Sequence, residues 1–201
     1  MHKSYIIILI ILATLFVVKY TEKDDYAQSY TQLNSKTHFF NENMVIESTK
    51  HDIFTNTNLK NHISLIFFGY TNCPDYCPDT LAKLNKIFKN LNINIESTPL
   101  QVLFISVDLE NDDIVTLRKY VEYFNKDFIG LSMSPKTLEE LTKSVGVYFK
   151  KVSSTDDIDF YDHTGAVFIV GKDSRLMGIY SPPFNEKNIK NDITQLLSLN
   201  D

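Results

Sequence analysis

Two residues in this chain have the chemistry of soft ligands or nucleophiles. Cys73 and Cys77 are its only cysteines, set four apart in GYTNCPDYCP and each followed by proline. A thiolate either binds a metal ion or attacks a disulfide. A structural disulfide, a redox pair and part of a metal site are therefore all open. Thioredoxin-type redox sites use C-x-x-C, whereas the spacing here is C-x-x-x-C. On the first turn of a helix, residues four apart share one side, which suits two sulfurs holding one ion. Two soft sulfur ligands favour Cu(I) or Zn(II).

A third ligand would come from the histidines, at positions 2, 38, 51, 62 and 163. His2 lies in an apolar N-terminal segment, His38 in a polar stretch, and His51 and His62 in a region expected at the domain's edge. His163, in YDHTGAVFIV, stands just ahead of a buried strand.

The elements that must position these residues follow from periodicity. ISLIFFGY (63–70) and LQVLFISV (100–107) are continuous apolar runs of the kind buried central strands carry. After the cysteines, Leu81, Leu84, Ile87, Phe88 and Leu91 share one helical face. Pro78 fits the first turn, where its missing N–H costs nothing. The helix N-terminus favours ionised thiols. Asp112 or Asp113 can cap a helix with Ile114, Leu117, Val121 and Phe124 inward. DFIGL reads as a strand, and Ser134-Pro135 starts a helix through Leu138, Leu141 and Val145. GAVFIV, the turn GKDS and RLMGIY form a hairpin, followed by a helix from about Asn185 with Ile189, Ile193, Leu196 and Leu197 inward.

This order, βαβα…ββα, predicts an α/β, thioredoxin-like fold: a central mixed sheet flanked by helices, with an N-terminal edge hairpin formed from MVIESTKHDIFTN. In that fold the loop entering the GAVFIV strand passes beside the first helix's N-terminus, where redox members carry a cis-proline. The prolines at 74, 78, 99, 135, 182 and 183 leave that place to the His163 loop.

Three segments are expected. Residues 1–20 contain the uncharged stretch Tyr5–Val18 and no A-x-A cleavage pattern, and read as an N-terminal membrane anchor in preference to a cleaved signal. Residues 21–42 are polar and aperiodic, and read as a linker, leaving 43–201 as the folded domain. A membrane segment would place that domain in a compartment where disulfides form. The net charge of −5, without a Lys/Arg cluster, gives no support for a nucleic-acid surface.

FFGYTNCPDYCPDTL resembles the strand–loop–helix signature of the Sco/SenC family, the copper-delivery proteins of cytochrome c oxidase assembly. YDHTGAVFIVGKDSRLMGIY resembles that family's histidine loop and hairpin, and ISVDLENDD a third segment. The similarity runs from about Met44 to Leu199. It implies Cys73, Cys77 and His163 as copper ligands, three for Cu(I), with an added ligand for Cu(II). Asp108 matches an acidic position tied to partner function, and Asp75 lies inside the cysteine motif; neither is read as a ligand. Asn72 replaces a frequent His, Leu109 a common Pro, and NTNLKNHIS lacks a frequent glycine. These departures bear on partner choice and copper affinity.

The resemblance implies a membrane-tethered metallochaperone. It would deliver copper to the dinuclear site in the copper-receiving subunit of cytochrome c oxidase, with its domain in the periplasm or mitochondrial intermembrane space. The alternative is an enzyme, a thiol–disulfide reductase acting on the acceptor's cysteines, with Cys73 as nucleophile, Cys77 resolving and His163 as general base. A peroxidase reading finds no motif. A purely structural disulfide would close too short a loop to stabilise much, and a closed zinc site needs a fourth ligand.

Overall fold

The computed structural model describes residues 28–91, 99–155 and 158–198. The segment 1–20 lies outside them, and among the described residues no helix is long and apolar enough to cross a membrane.

In chain order the elements are β1 (Thr31–Gln32), β2 (Ile46–Ser48), the short helix α1 (Asn56–Leu59), β3 (Ile63–Gly69), α2 (Tyr76–Asn90), β4 (Leu100–Ser106), α3 (Ile114–Phe124), β5 (Ile129–Met133) and α4 (Pro135–Val145). The ribbon β6 (Phe149–Thr155) and β7 (Ile158–His163) follows, then β8 (Val167–Val170), β9 (Leu176–Tyr180) and α5 (Glu186–Ser198). Seven strands form one mixed sheet in the order β1-β9-β8-β3-β4-β5-β2, while β6 and β7 pair apart from it. Strands β3, β4 and β5 run parallel; β8, β9, β1 and β2 join antiparallel.

The apolar runs take the central places because both their faces are covered. Every residue of β3 is buried, and β4 is buried except at Gln101. Leu81, Leu84, Ile87 and Phe88 of α2 face the core as their spacing predicts, and α2 packs against α5. Ser134 caps α4 by accepting from the Thr137 N–H, and Gly146 ends that helix in the left-handed conformation that favours glycine. The cap of α3 is Asp113, which accepts from the Thr116 N–H at 2.6 Å. Asp112 has turned inward instead.

Two features go beyond the sequence reading. Residues 28–42, the described part of the expected linker, are packed against the domain: Thr31 and Gln32 pair with β9, and Phe39 and Phe40 are 2% and 1% exposed. Two adjacent phenylalanines in a polar stretch give no periodicity to read. The β6–β7 ribbon was not anticipated either. Its sequence, FKKVSST and IDFYDH, alternates without an apolar face, as suits a pair of strands lying off the main sheet. The edge hairpin is present in reduced form, as β2 bridged at Ile46 to Phe54.

Candidate metal centre

Strand β3 delivers the chain to the site. It ends at Gly69, and the loop 70–75 turns back so that α2 can begin at Tyr76. Cys77, in the first turn of α2, is buried, and its N–H donates to Cys73 Sγ at 3.3 Å. Cys73 in the loop is half-buried. The sulfur of Cys77 lies flat against the strand. A Cβ at position 69 would stand 2.8 Å from Cys77 Sγ and 2.8 Å from a Phe104 ring carbon, so this close approach needs glycine.

His163 is the last residue of β7, opposite Phe149. Its Nδ1 lies 3.2 Å from the Thr164 carbonyl, which can only accept, so Nδ1 carries the proton. That leaves the Nε2 lone pair facing Cys77 Sγ, 3.5 Å away. Thr164 is pinned in turn: its N–H donates to the Tyr148 carbonyl at 2.8 Å, and its Oγ1 accepts from the Tyr148 N–H at 2.9 Å. The imidazole is walled by Phe67, Tyr70 and Tyr76, with ring centroids 5.9, 6.0 and 6.3 Å away. The Tyr76 hydroxyl donates to the Gly165 carbonyl at 2.6 Å, tying α2 to the histidine loop.

Cys73, Cys77 and His163 together offer three ligand atoms lying within 4.8 Å of one another, the one such group among the described residues. The three side chains singled out from sequence therefore meet. The pair shares a negative charge unequally. The hydrogen bond from the Cys77 thiol chiefly holds Cys73 down to about 4, against opposition from burial and with help from the backbone N–H groups of Cys77 and Asp75. Cys77 is pushed up by that same bond and by burial. The half-buried sulfur is thus the thiolate and the fully buried one its donor. Tyr70 and Tyr76 are raised by burial, so the walls stay neutral.

Asp108 is buried and takes no place beside the sulfurs. Its carboxylate accepts from Asn111 Nδ2 at 3.0 and 2.9 Å and from the Tyr161 hydroxyl at 3.2 Å. Asp112, four residues on, accepts from the Thr71 N–H at 3.1 Å, from the Thr71 hydroxyl, and from Ser106 Oγ at 2.6 Å. One turn after β4 thus holds both arms of the site, each two residues ahead of a candidate ligand. Sequence reading missed the role of Asp112, since an aspartate before a helix looks like a cap.

Fold and site together define a thioredoxin-like domain with a two-thiol, one-imidazole centre at the end of its central strand. The SCO1/SenC family model matches residues 31–198, and the chain belongs to that family. It is 33% identical over 141 residues to an SCO2-like protein of Rickettsia prowazekii, covering 69% of this chain and 67% of that one. It is 32% identical over 130 residues to the mitochondrial SCO2 homologue of Bos taurus, covering 64% of this chain and 49% of the relative. The match thus spans about half the length of that mitochondrial relative. The crystal structure of Arabidopsis thaliana ScoI with copper bound superposes with a TM-score of 0.71 at 25% identity, covering 78% of this chain and 96% of that one.

Proposed function

We propose that this protein is a membrane-tethered copper carrier, holding copper through Cys73, Cys77 and His163 and passing it to the dinuclear copper site of cytochrome c oxidase during assembly. The observation that carries this reading is the convergence of two sulfurs and one imidazole nitrogen within 4.8 Å. Two thiolates and a neutral imidazole are a soft donor set suited to Cu(I). Binding copper would displace the proton from Cys77, and His163 already presents Nε2 with Nδ1 bonded elsewhere. The assembly role is drawn from family membership, since the Sco family is one of cytochrome c oxidase assembly proteins. The domain would stand on the extracytoplasmic side, in the periplasm or the intermembrane space, tethered through residues 1–20.

A half-exposed sulfur makes handover direct. Cys73 can be approached by an acceptor's own ligands while Cys77 and His163 still hold the ion. Transfer from the copper-loaded protein to the reduced copper-receiving domain of the oxidase tests this reading. Copper should move to the acceptor with a rate that falls sharply in Cys73→Ser, and copper retained by the donor would count against it.

The sulfur arrangement also favours a second reading, reduction of the acceptor's cysteines. An accessible thiolate beside a buried thiol is the order a reductase needs. Cys73 would attack an acceptor disulfide and release one thiolate. Cys77 would then close on Cys73 to free the second, leaving this protein oxidised by two electrons. No proline stands at the loop entering β8, where Thr164, Gly165 and Ala166 lie instead.

A further inference from the structure

The first described residues enter the domain at the end of the sheet that carries the metal centre. Thr31 pairs with Ile179, so Tyr30 stands beside Tyr180, and their rings meet edge-on at 5.7 Å. Tyr180 pairs with Val167, and Val167 with Phe67. This row ends 5.9 Å from the His163 ring, counted from the Phe67 centroid. Strand β1 then runs away from the site, antiparallel to β9, so the chain enters the described domain, at residue 28, on the site's side of the sheet.

The entry point is fixed. Asp192 on α5, 1% exposed, accepts from the Ser29 N–H at 3.1 Å and from the Ser29 hydroxyl. The Tyr30 ring lies so close to β9 that a Cβ on Gly178 would stand 2.3 Å from it. The Leu33 N–H donates to the Met177 carbonyl at 2.8 Å. A buried carboxylate with these partners is costly to release, because it would lose bonds that water does not replace inside the fold.

We infer that the metal-binding end of the sheet faces the bilayer to which the chain is tethered, so that an acceptor meets the site in the gap between domain and membrane surface. This rests on the reading of residues 1–20 as an anchor. The tether is short: residues 21–28 can span at most about 28 Å fully extended. Strands β1 and β3 are three strand steps apart, about 14 Å at ordinary spacing. The opposite end of the sheet, with the β8–β9 turn at Gly171–Ser174, is farther from the entry by roughly the length of β3, about 23 Å. To bring the opposite end to the membrane, an eight-residue tether would have to run back along the sheet almost fully extended, which costs conformational entropy, so the site end is favoured as the nearer one. The acceptors it fits are proteins whose own copper ligands stand near the membrane surface.

The test uses the full chain reconstituted in phosphatidylcholine vesicles carrying an energy-acceptor dye on a fraction of the headgroups. A donor dye is placed by bioorthogonal labelling at Asn72, in the site loop, or at Lys172, in the β8–β9 turn. Co-flotation with the vesicles is measured first. The inference expects energy transfer to place Asn72 nearer the surface than Lys172 by about 20 Å. Equal distances, or Lys172 nearer, overturn it while leaving the anchor and the copper site standing. Failure to float with vesicles removes the anchor reading and this inference with it, while copper binding, measured separately, is untouched.

Discussion

The Tyr161 hydroxyl donates to the buried carboxylate of Asp108 across 3.2 Å, and Tyr161 stands two residues ahead of His163 on the same strand. The β6–β7 ribbon that carries His163 pairs only with itself, so its attachment to the domain depends on such contacts. Asn111 Nδ2 donates to Asp159 at 3.3 Å, and Lys151 sits 2.5 Å from Asp159 and 3.5 Å from Glu110. The Tyr161 ring also packs on Tyr70 at 5.3 Å. Asp108 therefore acts on the site through the ribbon.

Tyr161→Phe keeps the ring contact and removes the bond. Burial raises the Tyr161 hydroxyl above its ordinary range, so it remains a donor across the working pH. We expect a loss of about 1 kcal/mol in stability by denaturant titration, with weaker Cu(I) affinity in a chelator competition. Asp108→Ala leaves Asn111 and Tyr161 without their acceptor and should cost more, about 2 kcal/mol. Unchanged Cu(I) affinity in both variants would show that the ribbon is positioned by other contacts.

The reduced protein should alkylate at Cys73 far into acid. The thiol is lowered to about 4, so thiolate predominates above that value and is lost as pH falls through it. Iodoacetamide rates, with the site located by peptide mapping, should stay flat from neutral pH to about pH 5 and fall below that. Cys77, raised and buried, should stay unmodified until the protein is unfolded. A rate that rises only through the ordinary thiol range would contradict the unequal sharing of charge.

Gly69→Ala places a methyl 2.8 Å from both Cys77 Sγ and the Phe104 ring. The strand is hydrogen-bonded on both sides and cannot retreat, so α2 or the Phe104 ring must move. Overpacking of this kind costs about 1–3 kcal/mol. Thermal unfolding should show the loss, and copper binding should weaken with it. Full stability in this variant would mean that the sulfur has room the geometry denies.

Much of this was legible in the sequence, and the reasons differ by element. Strands β3, β4 and β8 and helix α2 announce themselves because burial on both faces or on one stripe leaves a period. Cys73 and Cys77 are the only cysteines, and His163 could be joined to them by its place just ahead of the buried GAVFIV strand and by the resemblance to the Sco/SenC family. The ribbon could not be read, since strands that lie off the main sheet carry no apolar stripe. Asp112 was hidden for another reason: its partners, Thr71 and Ser106, are distant in sequence, and only the fold brings them together. Asp192 was hidden in the same way, as a charge on an otherwise ordinary helix face.

The domain boundary is open to a direct check. A chain beginning at Met44 would leave β9 without its outer neighbour and remove Phe39 and Phe40 from the core. Loss of one such phenylalanine side chain alone costs about 3–5 kcal/mol. A protein starting at Gln28 should fold cooperatively, while one starting at Met44 should melt far lower or aggregate. Matching melting curves would support the reading of residues 28–42 as a linker.

The most direct test of the central claim is the Cu(I) stoichiometry of the reduced protein, loaded anaerobically, for the native chain and for His163→Ala. The account predicts one tightly held copper in the native chain and its loss or marked weakening in the variant. Binding that depends on Cys73 and Cys77 but not on His163, or no retained copper at all, would contradict it.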